Sequence, residues 1–284
     1  MAHPQPRFRE LPYLIAGGFQ KLAWTEWGAP DAEPLICVHG LTRNGRDFDA
    51  LAIALADRFH VICPDLPGRG RSDWLTNSAL YQPIQYVHVL AHLLAAVGRP
   101  VNFLGTSLGG ICGMAIASMP KAPIMRLVLN DIGALIPEAA LRRIATYLGN
   151  EPEFESVAAL EAHLRYIHAP FGALTDAQWA HLAATSARAL PDGRVAIHYD
   201  QAIADPVRAT EPKDVDMWGL WEQIDVPTML IRGRHSDLLL EETFDRMAPK
   251  CAVTLVVADA GHAPALMDGP SIAAVRLFLE TPLP

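Results

Sequence analysis

The sequence has no apolar stretch approaching the roughly 20 uninterrupted residues of a membrane span, so no transmembrane segment is expected. It has no basic excess either: 23 Lys and Arg stand against 31 Asp and Glu, a formal charge of −8. A nucleic-acid binder would need a basic face to track phosphates, and that role is excluded. Cysteine is scarce. Cys37, Cys63, Cys112 and Cys251 form no C-x-x-C pair and sit in apolar stretches, which reads as buried free thiols rather than disulfides or a zinc site. His88 and His92 stand four apart, but residue 89 is Val rather than Glu and no third ligand follows, so no metal is expected. The opening MAHPQPRFRE lacks the apolar core of a signal peptide, and a cytoplasmic location is the expectation. What is present is core-forming material: 284 residues, 51% hydrophobic and 19% charged. That suits one large α/β domain, or a core carrying an insertion.

Short apolar runs alternate with helical patterns, the signature of a mostly parallel sheet flanked by helices. Leu35–Val38, His60–Cys63, Val101–Leu104, Leu127–Leu129, Thr228–Ile231 and Val253–Val257 are continuous apolar runs, as expected of strands buried on both faces. Leu11 to Trp27, with Gly17-Gly18 at its middle, reads as an antiparallel hairpin. Between the runs, Ile84, Val87, Leu90, Ala91, Leu94 and Val97 recur at helical spacing, and Gly98 and Pro100 supply the stop. Asp47 is the expected cap of a helix over 48–57, and Ser271 of the last helix. The alternation breaks after Asp131. From Ala134 to Met217 only helical pieces are expected: Pro137–Leu148, one capped by Ser156, and one opened by Thr175-x-x-Gln178. Residues 1–133 and 218–284 then form the core, and 134–217 an inserted helical lid where loops leave the strands' carboxyl ends.

Gly105-Thr106-Ser107-Leu108-Gly109-Gly110 follows one strand run and precedes an apolar helix, which is G-x-S-x-G in the strand–turn–helix setting that motif requires. The turn exposes the Ser107 hydroxyl, and side chains two residues before or after it would collide with the turn. A hydroxyl is a weak nucleophile and needs a base held by a third group. His262 lies in a Gly-flanked loop past the last strand run, and Asp237 lies in Arg232-Gly233-Arg234-His235-Ser236-Asp237 past the run before it. The order Ser107, Asp237, His262 is the nucleophile–acid–histidine order of this motif. His39-Gly40-Leu41 ends another strand run, so the Leu41 N–H can reach the site, and the Leu108 N–H is the natural second oxyanion donor.

These landmarks, with Asp65-Leu66-Pro67-Gly68-Arg69-Gly70-Arg71-Ser72, make the chain resemble the α/β-hydrolase superfamily in its capped serine-hydrolase, esterase-like branch. The resemblance spans positions 39 to 262. It implies an α/β-hydrolase fold: a mostly parallel eight-stranded sheet flanked by helices, with an inserted helical cap. It also implies Ser107–His262–Asp237 as the triad, Leu41 and Leu108 as oxyanion donors, and no cofactor. The 65–72 segment is read as a structural turn. Asp131, ending the run before Asp237's, is the alternative acid, since adjacent strands both deliver residues to the carboxyl edge. Serine at 107 sets the chain apart from haloalkane dehalogenases and epoxide hydrolases of this fold, which use aspartate.

A carboxylic-ester hydrolase acting on a small-molecule substrate is the favoured reading. Lactonase, thioesterase, amidase or carbon–carbon bond hydrolase chemistry would use the same triad. So could a cofactor-free oxygenase or lyase, and a small-molecule receptor could keep the fold. The sequence does not set the oligomeric state. Residues 134–217 carry 12 acids against 7 bases, which favours neutral or cationic esters over polyanionic ones. Tyr166, Trp179 and Trp218 are candidates for the substrate pocket, with Phe171, Tyr199 and Trp221 as further aromatics of the region.

Overall fold

The computed structural model describes residues 5–150 and 152–283. Eight strands form the central sheet: β1 (Arg7–Ile15), β2 (Gly18–Trp27), β3 (Glu33–Val38), β4 (Phe59–Pro64), β5 (Val101–Thr106), β6 (Ile124–Asn130), β7 (Thr228–Gly233) and β8 (Val253–Val257). They lie in the order β1-β2-β4-β3-β5-β6-β7-β8. β1 and β2 form the expected hairpin, and β2 meets β4 antiparallel. All later neighbours are parallel. The apolar runs behave as their composition dictates: every residue of β7 is buried, as is every residue of β3 after Glu33. Val253–Val257 departs from that pattern. It is the edge strand, with Val253 37% and Val256 41% exposed, because no further strand or helix covers it fully.

Helices cover both faces. On one side, α1 (Asp49–Leu55) and the last helix of the chain, Gly269–Glu280, pack Leu51, Leu55, Val275 and Phe278 against Leu35, Val61 and Val128. On the other, α2 (Pro83–Val97) and α3 (Leu108–Ala117) bury Tyr86, Leu90, Cys112 and Met114 against Ile36, Phe103 and Leu127. Gly98 ends α2 in the left-handed conformation, φ 69°, as its position predicts. Two expected caps sit three residues away from where the helices are capped. Asn44, not Asp47, caps the turn leading into α1, and Asp268 accepts from the Ser271 N–H at the start of the last helix. In both places the Asx residue stands just before the first turn in extended backbone, where its oxygen reaches a free N–H.

Residues 134–217 leave after β6 and return before β7. Three helices dominate them: α4 (Glu138–Tyr147), α5 (Val157–Ile167), capped by Ser156, and α6 (Asp176–Ser186), opened by the Thr175/Gln178 capping box. The segment is not purely helical. Leu135–Ile136 pairs antiparallel with Val215–Asp216, and Ala187–Ala189 with Val195–Ile197. Strands of two or three residues show no periodicity that a sequence pattern could reveal. The first pair joins the two ends of the segment, and the Met217 N–H donates to the Ala134 carbonyl at 2.7 Å.

Candidate active site

Ser107 stands between β5 and α3 at φ 52°, ψ −115°, a conformation that non-glycine residues rarely adopt. Glycines two places on either side make the turn possible. A Cβ on Gly105 would sit 2.3 Å from the Gly109 carbonyl oxygen, and one on Gly109 would sit 2.0 Å from that of Val38. The Ser107 N–H donates to the Asn130 carbonyl at 3.0 Å, which ties the turn to the end of β6.

The Ser107 Oγ lies 3.0 Å from His262 Nε2, and His262 Nδ1 lies 2.8 Å from Asp131 Oδ2. Asp131 follows β6 directly, is fully buried and has φ 55°. Its carboxylate also accepts the Gly233 N–H (2.9 Å), the Ser236 hydroxyl (2.6 Å) and the Ala263 N–H (3.1 Å). Four donors around one buried carboxylate compensate its desolvation and fix its direction. An ionised carboxylate only accepts, so Nδ1 of His262 carries a proton and Nε2 is free to accept from the serine hydroxyl.

The expected pairing of Asp237 with His262 is therefore corrected: the carboxylate beside the imidazole is that of Asp131. Asp237 is half-exposed at the cavity rim and forms an ion pair with Arg143 of α4. The physical reason lies in the loop after β7. Gly233 and Ser236 direct their donors onto Asp131, and by residue 237 the chain has moved outward to the rim. The positional signal for Asp131 was its place immediately at the end of an apolar run.

Leu41 and Leu108 flank the serine. Gly40 adjoins the serine: a Cβ there would lie 3.7 Å from the Ser107 Cβ, in ordinary van der Waals contact. Leu108 opens α3, so its N–H has no partner inside the helix. The Leu41 N–H makes no hydrogen bond among the described residues. Three groups whose supporting role is not visible in the sequence, His39, Arg69 and Asn130, hold this region. Leu66 N–H donates to His39 Nε2 at 2.9 Å, and His39 Nδ1–H donates to the Gly40 carbonyl at 2.7 Å, on the same peptide unit as the Leu41 N–H. Burial pushes the His39 imidazole down to about 3, so it stays neutral in this role. Fully buried Arg69 donates from Nε to the Leu41 carbonyl at 2.8 Å. Asn130 Nδ2 donates to the Pro264 carbonyl at 2.8 Å and braces the loop of His262. The 65–72 segment thus grips the His39–Leu41 turn from behind, a role visible only once the chain is folded.

A cavity of about 530 Å³ opens over Ser107 and His262. The sheet edge supplies Leu41, Phe48 and Pro264, and the 134–217 segment supplies Ile144, Tyr147, Ile167, His168 and Phe171. None of the three pocket candidates lines it. Tyr166 is 83% exposed, Trp179 is buried within the helical segment beneath Arg165, and Trp218 lies under the Arg246 guanidinium. Helical periodicity marks a ring as facing inward or outward, but not which inward surface it meets. Of the further aromatics, Phe171 reaches the cavity, and Tyr199 and Trp221 are buried away from it. All four cysteines are free. Among the described residues no group of three or more His, Cys, Asp or Glu side chains could hold a metal ion, and no helix is long and apolar enough to cross a membrane.

Known proteins share this architecture. The profile of the Alpha/beta hydrolase family matches residues 35–274. The chain is 39% identical to a 3-hydroxybutyrate-oligomer hydrolase of Cupriavidus necator, over 96% of this chain and 97% of that one. It is 27% identical to an esterase of Mycobacterium tuberculosis, over 82% of this chain and 75% of that protein. A crystal structure of an alpha/beta hydrolase from Novosphingobium aromaticivorans superposes with a TM-score of 0.86 at 35% identity, covering 99% of each chain. These relatives are named as hydrolases or an esterase. The chain belongs to the alpha/beta hydrolase family.

Proposed function

We propose that this hydrolase cleaves carboxylic esters through an acyl-enzyme on Ser107, His262 and Asp131. The observation that carries the reading is the unbroken path from Ser107 Oγ through both nitrogens of His262 to the buried Asp131, opening on a cavity of small-molecule size. As Ser107 Oγ attacks the ester carbonyl, His262 Nε2 takes its proton. The oxyanion draws on the Leu41 and Leu108 N–H groups, each such donor typically contributing about a hundred- to a thousand-fold in rate. His262 returns the proton to the departing alcohol. It then deprotonates water, which attacks the acyl-serine; the bond from the acyl carbon to Ser107 Oγ breaks, His262 returns the proton to Oγ, and the carboxylic acid leaves. Asp131 holds the imidazole tautomer and stabilises the imidazolium. No step calls for a cofactor. Residues 134–217 act as the cap over this site.

Two features support a short, uncharged reacting end. Arg43 and Arg143 in the cavity wall are each matched by a carboxylate, Asp47 and Asp237, so neither presents an uncompensated charge. Similarity to a hydrolase named for 3-hydroxybutyrate oligomers points to short linear hydroxyacid esters as the substrate class. The test is hydrolysis of p-nitrophenyl esters from acetate to octanoate, and of the 3-hydroxybutyrate dimer and trimer. Turnover by the wild type and its loss in Ser107→Ala support the reading. Equal turnover by both proteins would end it.

A further inference from the structure

The cap side of the cavity carries an imidazole that the ester mechanism leaves unused. His168 follows α5, lines the cavity, and stacks on Phe171 with ring centroids 4.4 Å apart and 16° between planes. Its Nε2 lies 3.4 Å from Arg43 Nη1. Arg43 is itself fixed: Nε and Nη2 bind the two oxygens of Asp47 at 2.8 and 2.7 Å, and Nη2 also meets the Ser186 hydroxyl at 3.0 Å. A guanidinium has donors only, so His168 Nε2 must accept and the ring proton resides on Nδ1. Burial and the neighbouring Arg43 charge hold this imidazole well below its usual range, which keeps the ring neutral and that tautomer in place. The Nδ1–H finds no protein acceptor: among the described residues it makes no hydrogen bond, and it caps no helix. A donor in the wall of a site must be met by water or by the occupant, and rejecting an occupant that lacks the acceptor is how such sites discriminate.

We propose that His168 is a specificity-determining residue whose Nδ1–H donates to an acceptor oxygen of the ester other than its reacting carbonyl, so that the enzyme selects esters bearing a second oxygen, as hydroxyacid esters do. The proposal rests on the ester-hydrolase reading above. It deepens that reading by assigning recognition of the second oxygen to the cap.

Two matched pairs of esters test it. On the acyl side, p-nitrophenyl 3-hydroxybutyrate is compared with p-nitrophenyl butyrate. On the alcohol side, the butyrate ester of methyl 3-hydroxybutyrate is compared with 2-hexyl butyrate. The quantity read is the ratio of kcat/KM within each pair, for the wild type, His168→Phe and His168→Asn. Phe keeps the stack on Phe171 and removes both nitrogens, whereas Asn keeps an N–H donor near the position of Nδ1. In at least one pair the wild type prefers the oxygenated ester by about tenfold, Phe brings that ratio close to one, and Asn retains part of it. General damage to the fold lowers both members of a pair together and leaves the ratio intact. Ratios unchanged by His168→Phe, or no wild-type preference in either pair, would overturn the proposal. Failure of the wild type to hydrolyse any of the four esters would instead remove the ester reading, and this proposal with it.

Discussion

The sheet edge and the wall formed by residues 134–217 face each other across one cavity and are built on different principles. At the edge, Ser107, Asp131 and Ala263 all hold positive φ values, and the surrounding hydrogen bonds maintain these strained turns. Asp131 is fully buried with four donors, and His39 and Arg69 brace the Leu41 turn from inside the core. Among the described residues, the wall supplied by 134–217 has no such strained turn at the cavity and is joined to the core by the Gly261 N–H to the Pro170 carbonyl, the Ala265 N–H to the Phe171 carbonyl, and side-chain contacts. Arg143 meets Asp237 at the half-exposed rim, His181 meets Asp49, Asn44 Nδ2 reaches the Thr185 carbonyl, and Gln178 reaches that of Met267. Under the proposed function, the reaction geometry is set by strained turns of the core, and the proposed role of His168 places selectivity in the opposite wall.

That contrast can be broken most severely at the serine. Ser107→Ala removes one oxygen at the cavity surface and should lower kcat for ester hydrolysis by about a million-fold, with an unchanged melting temperature. Next in size is the acid. Asp131→Asn should lower kcat by about four orders of magnitude, because an amide in place of the carboxylate no longer fixes the imidazole tautomer. Asp237→Asn, at the rim, should cost less than about tenfold in kcat/KM on the same ester. Equal losses from the two aspartate variants would erase the distinction between edge and rim.

The smallest effect is on stability, at the contact between α6 and the core. The Asp49 carboxylate beside His181 raises its imidazole above the ordinary value of 6.5. A raised native value means the contact stabilises fully below pH 6.5 and loses its contribution as pH rises through the native value. His181→Asn should therefore cost up to about 1 kcal/mol at pH 6 and much less at pH 9, read from denaturant unfolding at both pH values.

Much of this molecule can be read from local pattern, and the failures at the candidate site share one cause. The strand runs, the Gly105–Gly110 turn and the Ser156 and Thr175 caps depend on neighbours in sequence, and they fold as that context dictates. Choosing between Asp131 and Asp237 depends on how the loop after β7 curls, which is decided by contacts across about 100 positions of chain. The same holds for the cavity wall. Tyr166 and Ile167 are adjacent in α5, yet Tyr166 faces solvent and Ile167 faces the cavity. Arg69 sits in a motif that reads as a turn, and its grip on Leu41 appears only when the 65–72 segment packs behind β3.

Covalent labelling by a fluorophosphonate, followed by intact mass and peptide mapping, tests the Ser107–His262–Asp131 assignment most directly. The wild type and Asp237→Asn should each gain one adduct on Ser107 at similar rates. Ser107→Ala should gain none, and Asp131→Asn should react at least a hundred-fold more slowly, because its serine lacks a correctly held base. Fast labelling of Asp131→Asn together with loss of labelling in Asp237→Asn would contradict the account.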